Sequence, residues 1–111
     1  MNWLVLDSVE QFSQLLQTHD AGSFAVFKHS TRCSVSRLSK DRIERNWGAL
    51  PEKFRFYYLD LLTYRLISDA IERILEVEHQ SPQVLLIENG ICTFHSSHSD
   101  INVSELAEKI N

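Results

Sequence analysis

Cys33 is the residue of this sequence whose type and position best suit covalent chemistry. It follows an apolar run at residues 24–28 and comes directly before a segment of helical pattern that begins near Ser34. The first N–H groups of a helix have no partners within the helix, and together with the helix dipole they stabilise a thiolate. We therefore expect Cys33 to have a lowered thiol pKa and to act as a nucleophile. Packing as a small apolar residue is the alternative.

Three neighbours of Cys33 could adjust its reactivity. Arg32 places a positive charge next to the sulfur, and Ser36, three residues further on, is expected to direct its hydroxyl at the sulfur. His29 could polarise the thiol, although a histidine at a strand end more often hydrogen-bonds the backbone. Position 36 holds serine where a Cys-x-x-Cys motif holds its second cysteine, so Cys33 cannot close a local disulfide.

The remaining sulfur and imidazole groups do not suggest a metal centre. His29, Cys33, His95 and His98 lack the compact spacing of zinc ligands, so we predict no metal cofactor. Cys92 falls in a predicted strand, where inert packing is the expected role and a resolving thiol is the alternative.

The hydrophobic pattern predicts alternating strands and helices around these residues. Ser8 gives a capping signal for the first helix, and an Asn-Gly pair at residues 89–90 predicts a hairpin. In the helix that follows Cys33, we expect Val35 and Leu38 to share the apolar face with Ile43 and Trp47. The predicted order is a helix to about His19, a central strand at 24–28, a helix at 34–47, a strand at 54–62, a helix at 67–75, strands at 84–87 and 91–94, and a last helix at 103–110.

This order predicts an α/β protein with three layers, α/β/α. Strands joined by a crossover helix lie parallel, whereas the C-terminal hairpin adds an antiparallel pair, so the central sheet is mixed and has helices on both faces. The 111 residues are expected to form a single domain, 1–111.

Composition excludes several classes of partner. The formal net charge of -4 gives no basic field for nucleic acid, and no apolar stretch is long enough to cross a membrane. The N-terminus lacks the basic region of a signal peptide, so we expect a cytoplasmic protein whose two cysteines are free thiols.

The element order, the Cys-x-x-Ser after a strand, and Ser81-Pro82 before the next one resemble the thioredoxin fold, with Pro82 at its cis-proline position. More narrowly, the chain is similar to the monothiol bacilliredoxins of the YtxJ type. Three separated blocks carry that similarity: residues 27–36 (Phe-Lys-His-Ser-Thr-Arg-Cys-Ser-Val-Ser), residues 79–83 (His-Gln-Ser-Pro-Gln) and residues 96–98 (Ser-Ser-His). The family usually has proline after the cysteine, whereas Ser34 here leaves an extra N–H near the sulfur.

The resemblance implies a thiol-disulfide oxidoreductase that removes low-molecular-weight thiols, bacillithiol in the named family, from protein cysteines. Its implied partners are protein mixed disulfides, a small cytosolic thiol as co-substrate, and a redox protein that regenerates the enzyme. It needs no bound cofactor. Cys33 would be the nucleophile, with Arg32, Ser34, Ser36 and His29 stabilising its thiolate. The implied substrate-binding residues are Ser81, Pro82, His98, Ser99 and Asp100, the last two with helix capping as their alternative role.

Two other functions remain open from the sequence. A thioredoxin-like interaction module without catalytic activity could bind an extended peptide at the Pro82 edge. Alternatively, Cys33 and an exogenous thiol could ligate an iron–sulfur cluster between two chains.

Overall fold

The elements of the fold are defined by a computed structural model that describes residues 2–17 and 22–110. The strands are β1 (Leu4–Val5), β2 (Phe24–His29), β3 (Arg55–Asp60), β4 (Gln83–Glu88) and β5 (Ile91–Ser97), and the helices are α1 (Val9–Gln17), α2 (Ser34–Arg45), α3 (Arg65–Leu75) and α4 (Val103–Lys109), with short 3₁₀ helices at Trp47–Ala49 and His98–Asp100. The predicted end of the first helix at His19 lies outside the described residues. The two-residue β1 strand is an element that the apolar start at residues 3–6 did not reveal.

The described strands form one mixed sheet in the order β1-β3-β2-β4-β5. β2 runs parallel to β3 and antiparallel to β4, and β4 and β5 form the antiparallel hairpin. At its turn, Asn89 and Gly90 both have positive φ, 54° and 78°, as a tight hairpin with this residue pair requires. The predicted mixed sheet and its central strand are therefore confirmed.

Helices cover the sheet on both faces, which gives the predicted three layers. On one face Phe12 of α1 and Ile71 of α3 pack with Phe24 and Val26 of β2. On the other face Ile43 of α2 and Leu106 of α4 pack with alternate residues of the same strand. Every residue of β2 is buried, because the strand is covered on both sides.

The orientation of α2 differs from the prediction. Val35 and Leu38 are 47% and 62% exposed, whereas Ser36, Ser39 and Ile43 form the buried face. The buried residues are spaced by three and four positions, as one helical face requires. Small serine side chains let the first half of the helix lie close to the sheet, where large aliphatic groups would not fit.

The start of α1 confirms the capping signal. The N–H of Gln11 donates to Ser8 Oγ at 3.0 Å, and the Gln11 side chain accepts from the N–H of Asp7 at 3.0 Å. These bonds satisfy backbone donors that a helix leaves unpaired at its first turn. Within the described residues, none of the helices combines the length and apolar character needed to cross a bilayer.

Candidate active site

Cys33 occupies the N-cap position of α2. Its N–H donates to the Ser30 carbonyl at 3.1 Å, and its own carbonyl accepts from the N–H of Arg37 at 3.1 Å. These bonds close a tight turn between β2 and α2 and place the sulfur at the beginning of the helix. Cys33 is a partly exposed free thiol, and Arg32 and Ser34 on either side are exposed. The thiol therefore has access to solvent and lies where backbone N–H groups favour an anion.

Ser36 is oriented differently from the prediction. Its hydroxyl is buried, lies 2.6 Å from His29 Nδ1, and accepts a hydrogen bond from the N–H of Ser30 at 3.1 Å. The described residues include no hydrogen bond between Ser36 and Cys33, so the expected hydrogen bond from the Ser36 hydroxyl to the sulfur is wrong. Because Ser30 also begins the turn that holds Cys33, Ser36 positions the nucleophile through the backbone.

His29 lies at the end of β2 and is only 3% exposed. Its ring stacks on Phe27 with centroids 5.5 Å apart and contacts Tyr58 at 5.4 Å. Burial lowers the pKa of His29, the positive charges of Lys40 and Arg37 act in the same direction, and Asp60 opposes them. A neutral imidazole paired with Ser36 fits a positioning role better than direct polarisation of the thiol.

The Ser81-Pro82 peptide bond is cis, as the resemblance implied. Lys28, near the end of β2, pairs with Gln83 at the start of β4. The cis peptide bond before β4 and the Cys33 turn after β2 therefore lie at the same end of these two strands. Pro82 is buried, and its carbonyl accepts from the N–H of His98 at 3.0 Å. His98 has a φ of 56°, which is uncommon for a residue with a side chain. The structure therefore brings Pro82 and His98 together beside the site.

Ser81 presents unsatisfied polar groups at this edge. Its Oγ is buried without a hydrogen-bond partner, and its backbone N–H and carbonyl make no hydrogen bond with any residue that the structure describes. The Oγ is enclosed by the protein, whereas the backbone N–H and carbonyl of the partly exposed residue are unpaired and suited to bind an extended segment.

Ser99 and Asp100 lie in the 3₁₀ helix His98–Asp100, which packs against α2. Both are exposed. Capping of α4, their alternative role, is performed instead by Asn102, whose side-chain oxygen accepts from the N–H of Glu105 at 3.0 Å. The two residues are thus exposed and follow His98, whose N–H bonds to the Pro82 carbonyl.

Lys28 is a buried polar residue near the site that the sequence reasoning did not single out. It is completely buried, and its Nζ lies 3.0 Å from His79 Nδ1. Ser68 Oγ lies 3.3 Å from His79 Nδ1, and the carboxylate of Glu72 accepts a hydrogen bond from the His79 backbone N–H. Burial lowers the pKa of Lys28 from 10.5 to about 8, against the opposing effect of Glu72 and Asp69. A lysine inside an otherwise apolar central strand was the signal for such a cluster.

The buried side chain of Gln83 holds the loop before β4, residues 78–82, through hydrogen bonds to its backbone. It is 1% exposed, its side-chain nitrogen donates to the Glu78 carbonyl at 3.1 Å, and its oxygen accepts from the N–H of Gln80 at 3.3 Å. With Lys28, this side chain holds residues 78–83 from within the protein. The loop that carries Ser81 is therefore fixed by buried polar contacts.

Cys92 lies on β5 and is half-buried. Its thiol donates to the Phe94 carbonyl at 3.4 Å, and burial raises its pKa. Both features disfavour a reactive thiolate, which agrees with the expected packing role. Across residues 2–17 and 22–110 there is no group of three or more His, Cys, Asp or Glu side chains that could hold a metal ion.

The family of the protein follows from comparison with known sequences. Residues 5–106 match the family model described as monothiol bacilliredoxin BrxC. The chain belongs to the monothiol bacilliredoxin family. The match includes both the Cys33 turn and the Ser81-Pro82 loop, so the two parts of the site in this bacilliredoxin fall within the family region.

Solved structures give the same fold for this bacilliredoxin. A thioredoxin-fold protein provisionally described as an oxidoreductase is 32% identical, superposes with a TM-score of 0.81, and is matched over 95% of this chain and 90% of its own. Thioredoxins of Trypanosoma brucei brucei and Fasciola hepatica are 18% and 19% identical, with TM-scores of 0.75 and 0.71. These two matches cover 97% and 96% of this chain and 87% and 95% of the thioredoxins. The predicted thioredoxin fold is confirmed.

Proposed function

We propose that this protein releases low-molecular-weight thiols, of the bacillithiol type, from mixed disulfides with cytoplasmic proteins. The observation that supports this most directly is the partly exposed Cys33 at the first turn of α2, in a chain of the monothiol bacilliredoxin family. A thiolate is the attacking species in thiol-disulfide exchange, and a helix N-terminus favours it.

The proposed step is one exchange reaction. The Cys33 thiolate attacks the small-thiol sulfur of the mixed disulfide, forming a new S–S bond and breaking the old one. The client cysteine leaves as a thiolate and takes a proton from water, so it is recovered reduced. Cys33 retains the small thiol as a mixed disulfide.

Regeneration requires a second thiol from outside the chain. Ser36 occupies the place of a resolving cysteine, and Cys92 lies on β5 with its thiol hydrogen-bonded to the Phe94 carbonyl. A second small-thiol molecule would attack the adduct on Cys33, giving a disulfide of two small thiols and free Cys33. Another redox protein would then reduce that disulfide.

The client protein would bind at the backbone of Ser81, beyond the start of β4 and beside the Cys33 turn. The Ser81 backbone precedes β4 and has no hydrogen-bond partner within the described part of the chain. An extended client segment could supply those bonds in the manner of an added strand. The client cysteine would then lie on the β4 side of Cys33.

The proposal is tested with a peptide whose single cysteine carries bacillithiol. Release of the peptide thiol is followed by chromatography, and the adduct on the protein by intact mass. We expect Cys33→Ser to abolish release and the adduct, and the matched control Cys92→Ser to retain both. Equal release by the wild type and Cys33→Ser would contradict the proposal and favour the interaction module.

A further inference from the structure

We propose that a polar groove on the β3 side of the Cys33 turn binds the carboxylate groups of the small thiol. This inference rests on the proposed function, and it assigns the two halves of the mixed disulfide to opposite sides of Cys33. The client lies on the β4 side, at Ser81, and the small thiol lies in the groove. The ligand class is therefore an anionic low-molecular-weight thiol.

The groove opens directly beside the reactive turn and has a volume of about 330 Å³. Its lining includes Thr31, which is two residues before Cys33, and Arg37, whose backbone N–H bonds to the Cys33 carbonyl. Tyr58 of β3 and Lys40 of α2 form its far side. A ligand joined to Cys33 by a disulfide can therefore lie along the groove and contact these side chains.

Hydrogen-bond donors without partners give the groove its preference for an anion. The guanidinium of Arg37 and the hydroxyls of Thr31 and Tyr58 form no hydrogen bond or ion pair with the residues described by the structure. Burial raises the pKa of Tyr58, and Asp60 and Glu44 reinforce the effect, so its hydroxyl remains a donor at neutral pH. Arg37 can bind a carboxylate through two parallel hydrogen bonds.

The acidic residues that also line the groove already have partners. Glu44 accepts hydrogen bonds from Lys40 at 2.7 Å and from Trp3 Nε1 at 2.7 Å. Asp41 forms an ion pair of 2.6 Å with Arg45. With these charges compensated, Arg37 provides the positive charge that remains available to a ligand.

The topology separates this groove from the client-binding edge. In the sheet β2 lies between β3 and β4, so Tyr58 and Ser81 are on opposite sides of the Cys33 turn. Asp100, at the opposite side with His98 and Pro82, carries a negative charge that disfavours a carboxylate. Binding the small thiol in the groove also places its sulfur next to Cys33, which directs the attack to that sulfur rather than to the client's.

The test compares two adducts of the same peptide, one with mercaptosuccinate, which has two carboxylates, and one with neutral 2-mercaptoethanol. We expect Arg37→Gln to lower kcat/KM roughly three- to tenfold for the mercaptosuccinate adduct, as loss of one exposed charge-assisted hydrogen bond predicts, and less than about twofold for the neutral adduct. Arg73→Gln, which removes an exposed arginine of α3, should leave both values unchanged.

The outcomes separate the two proposals. An Arg37→Gln variant that slows both adducts equally, or neither, overturns the groove while release by the wild type upholds the function. A wild type that releases neither of these adducts nor the bacillithiol adduct overturns the proposed function. A second readout does not depend on turnover: amide NMR spectra of Cys92→Ser protein charged at Cys33 with each thiol through its symmetrical disulfide. Differences between the two spectra should concentrate at Thr31, Arg37 and Lys40, and differences at Ser99 and Asp100 would overturn the groove.

Discussion

Ser36 and Ser39 lie one turn apart on the buried face of α2 but satisfy their hydroxyls differently. Ser36 Oγ bonds to His29 and to the N–H of Ser30, whereas Ser39 Oγ has no partner among the described residues. We expect Ser36→Ala to lower the free energy of unfolding by about 1–3 kcal/mol, because the buried His29 nitrogen and the part-buried Ser30 N–H lose their partner. Ser39→Ala should cost nothing or stabilise the protein by up to about 1 kcal/mol, because it removes an unsatisfied hydroxyl.

Urea unfolding followed by the fluorescence of Trp3 and Trp47 measures both variants on the same scale. The two substitutions remove the same atom from the same helix face, so Ser39→Ala controls for the cavity. Equal destabilisation of the two variants would show that the Ser36 network contributes nothing beyond packing.

At the scale of single residues, the sequence was sufficient for groups whose position depends on local signals. Cys33 was predicted at a helix start because a strand pattern ends before it and a helix pattern begins after it. Pro82 was predicted at the cis-proline position because residues 79–83 resemble the family and a strand pattern follows. The partner of Ser36 could not be predicted, because the bond to His29 depends on how closely α2 lies on the sheet. Lys28 and His79 are 51 positions apart, and only the folded sheet brings them together.

Among the elements, α2 shows why hydrophobic periodicity misjudged one buried face. The pattern assigned Val35 and Leu38 to the core because they are apolar, yet the helix buries Ser36 and Ser39. Its first half must present Cys33 at the surface and still approach His29 and Phe27 of β2 closely, which small side chains permit. The hairpin and the parallel β2–β3 pair were predictable, because turn residues and connection lengths determine them.

The β2 strand and the loop before β4 are joined by Lys28, whose titration provides the next prediction. Its folded pKa of about 8 lies below the ordinary 10.5, so between these values the unfolded chain binds more protons than the native protein. The free energy of unfolding should therefore rise with pH in this interval, by about 1 kcal/mol between pH 8 and 9. Lys28→Met, of similar shape and without a charge, should abolish this rise.

The measurement is urea unfolding at pH 8 and pH 9 in a Cys92→Ser background. That background is needed because burial raises the pKa of Cys92, which gives a change of opposite sign in the same range. Lys109→Met, an exposed lysine at the end of α4, provides the control and should keep the rise. A rise of the same size in Lys28→Met would assign it to another group.

For the whole molecule, the packing of helices on both faces of the sheet makes His29, which supports the reactive site, sensitive to acid. β2 is covered on both faces, so His29 at its end is held as a neutral imidazole, with a pKa below the ordinary 6.5. The unfolded chain then binds more protons than the native protein as the pH falls through 6.5, and stability declines toward the folded pKa. Because the bond between His29 and Ser36 supports the Cys33 turn, the same protonation should also disturb the nucleophile.

We expect the free energy of unfolding to decrease between pH 7 and pH 5.5 in the wild type and to decrease less in His29→Asn, where the decrease that remains includes that of His79, whose pKa burial also lowers. Denaturant unfolding at both pH values checks this, and His95→Asn, an exposed histidine of β5, should retain the wild-type dependence. Glu44 does not interfere, since its hydrogen bond from Lys40 holds its pKa below the ordinary 4.5 and its contribution is lost only at lower pH. An equal decrease in His29→Asn would mean that the acid response arises elsewhere, and that the buried imidazole supports the Cys33 turn without linking it to pH.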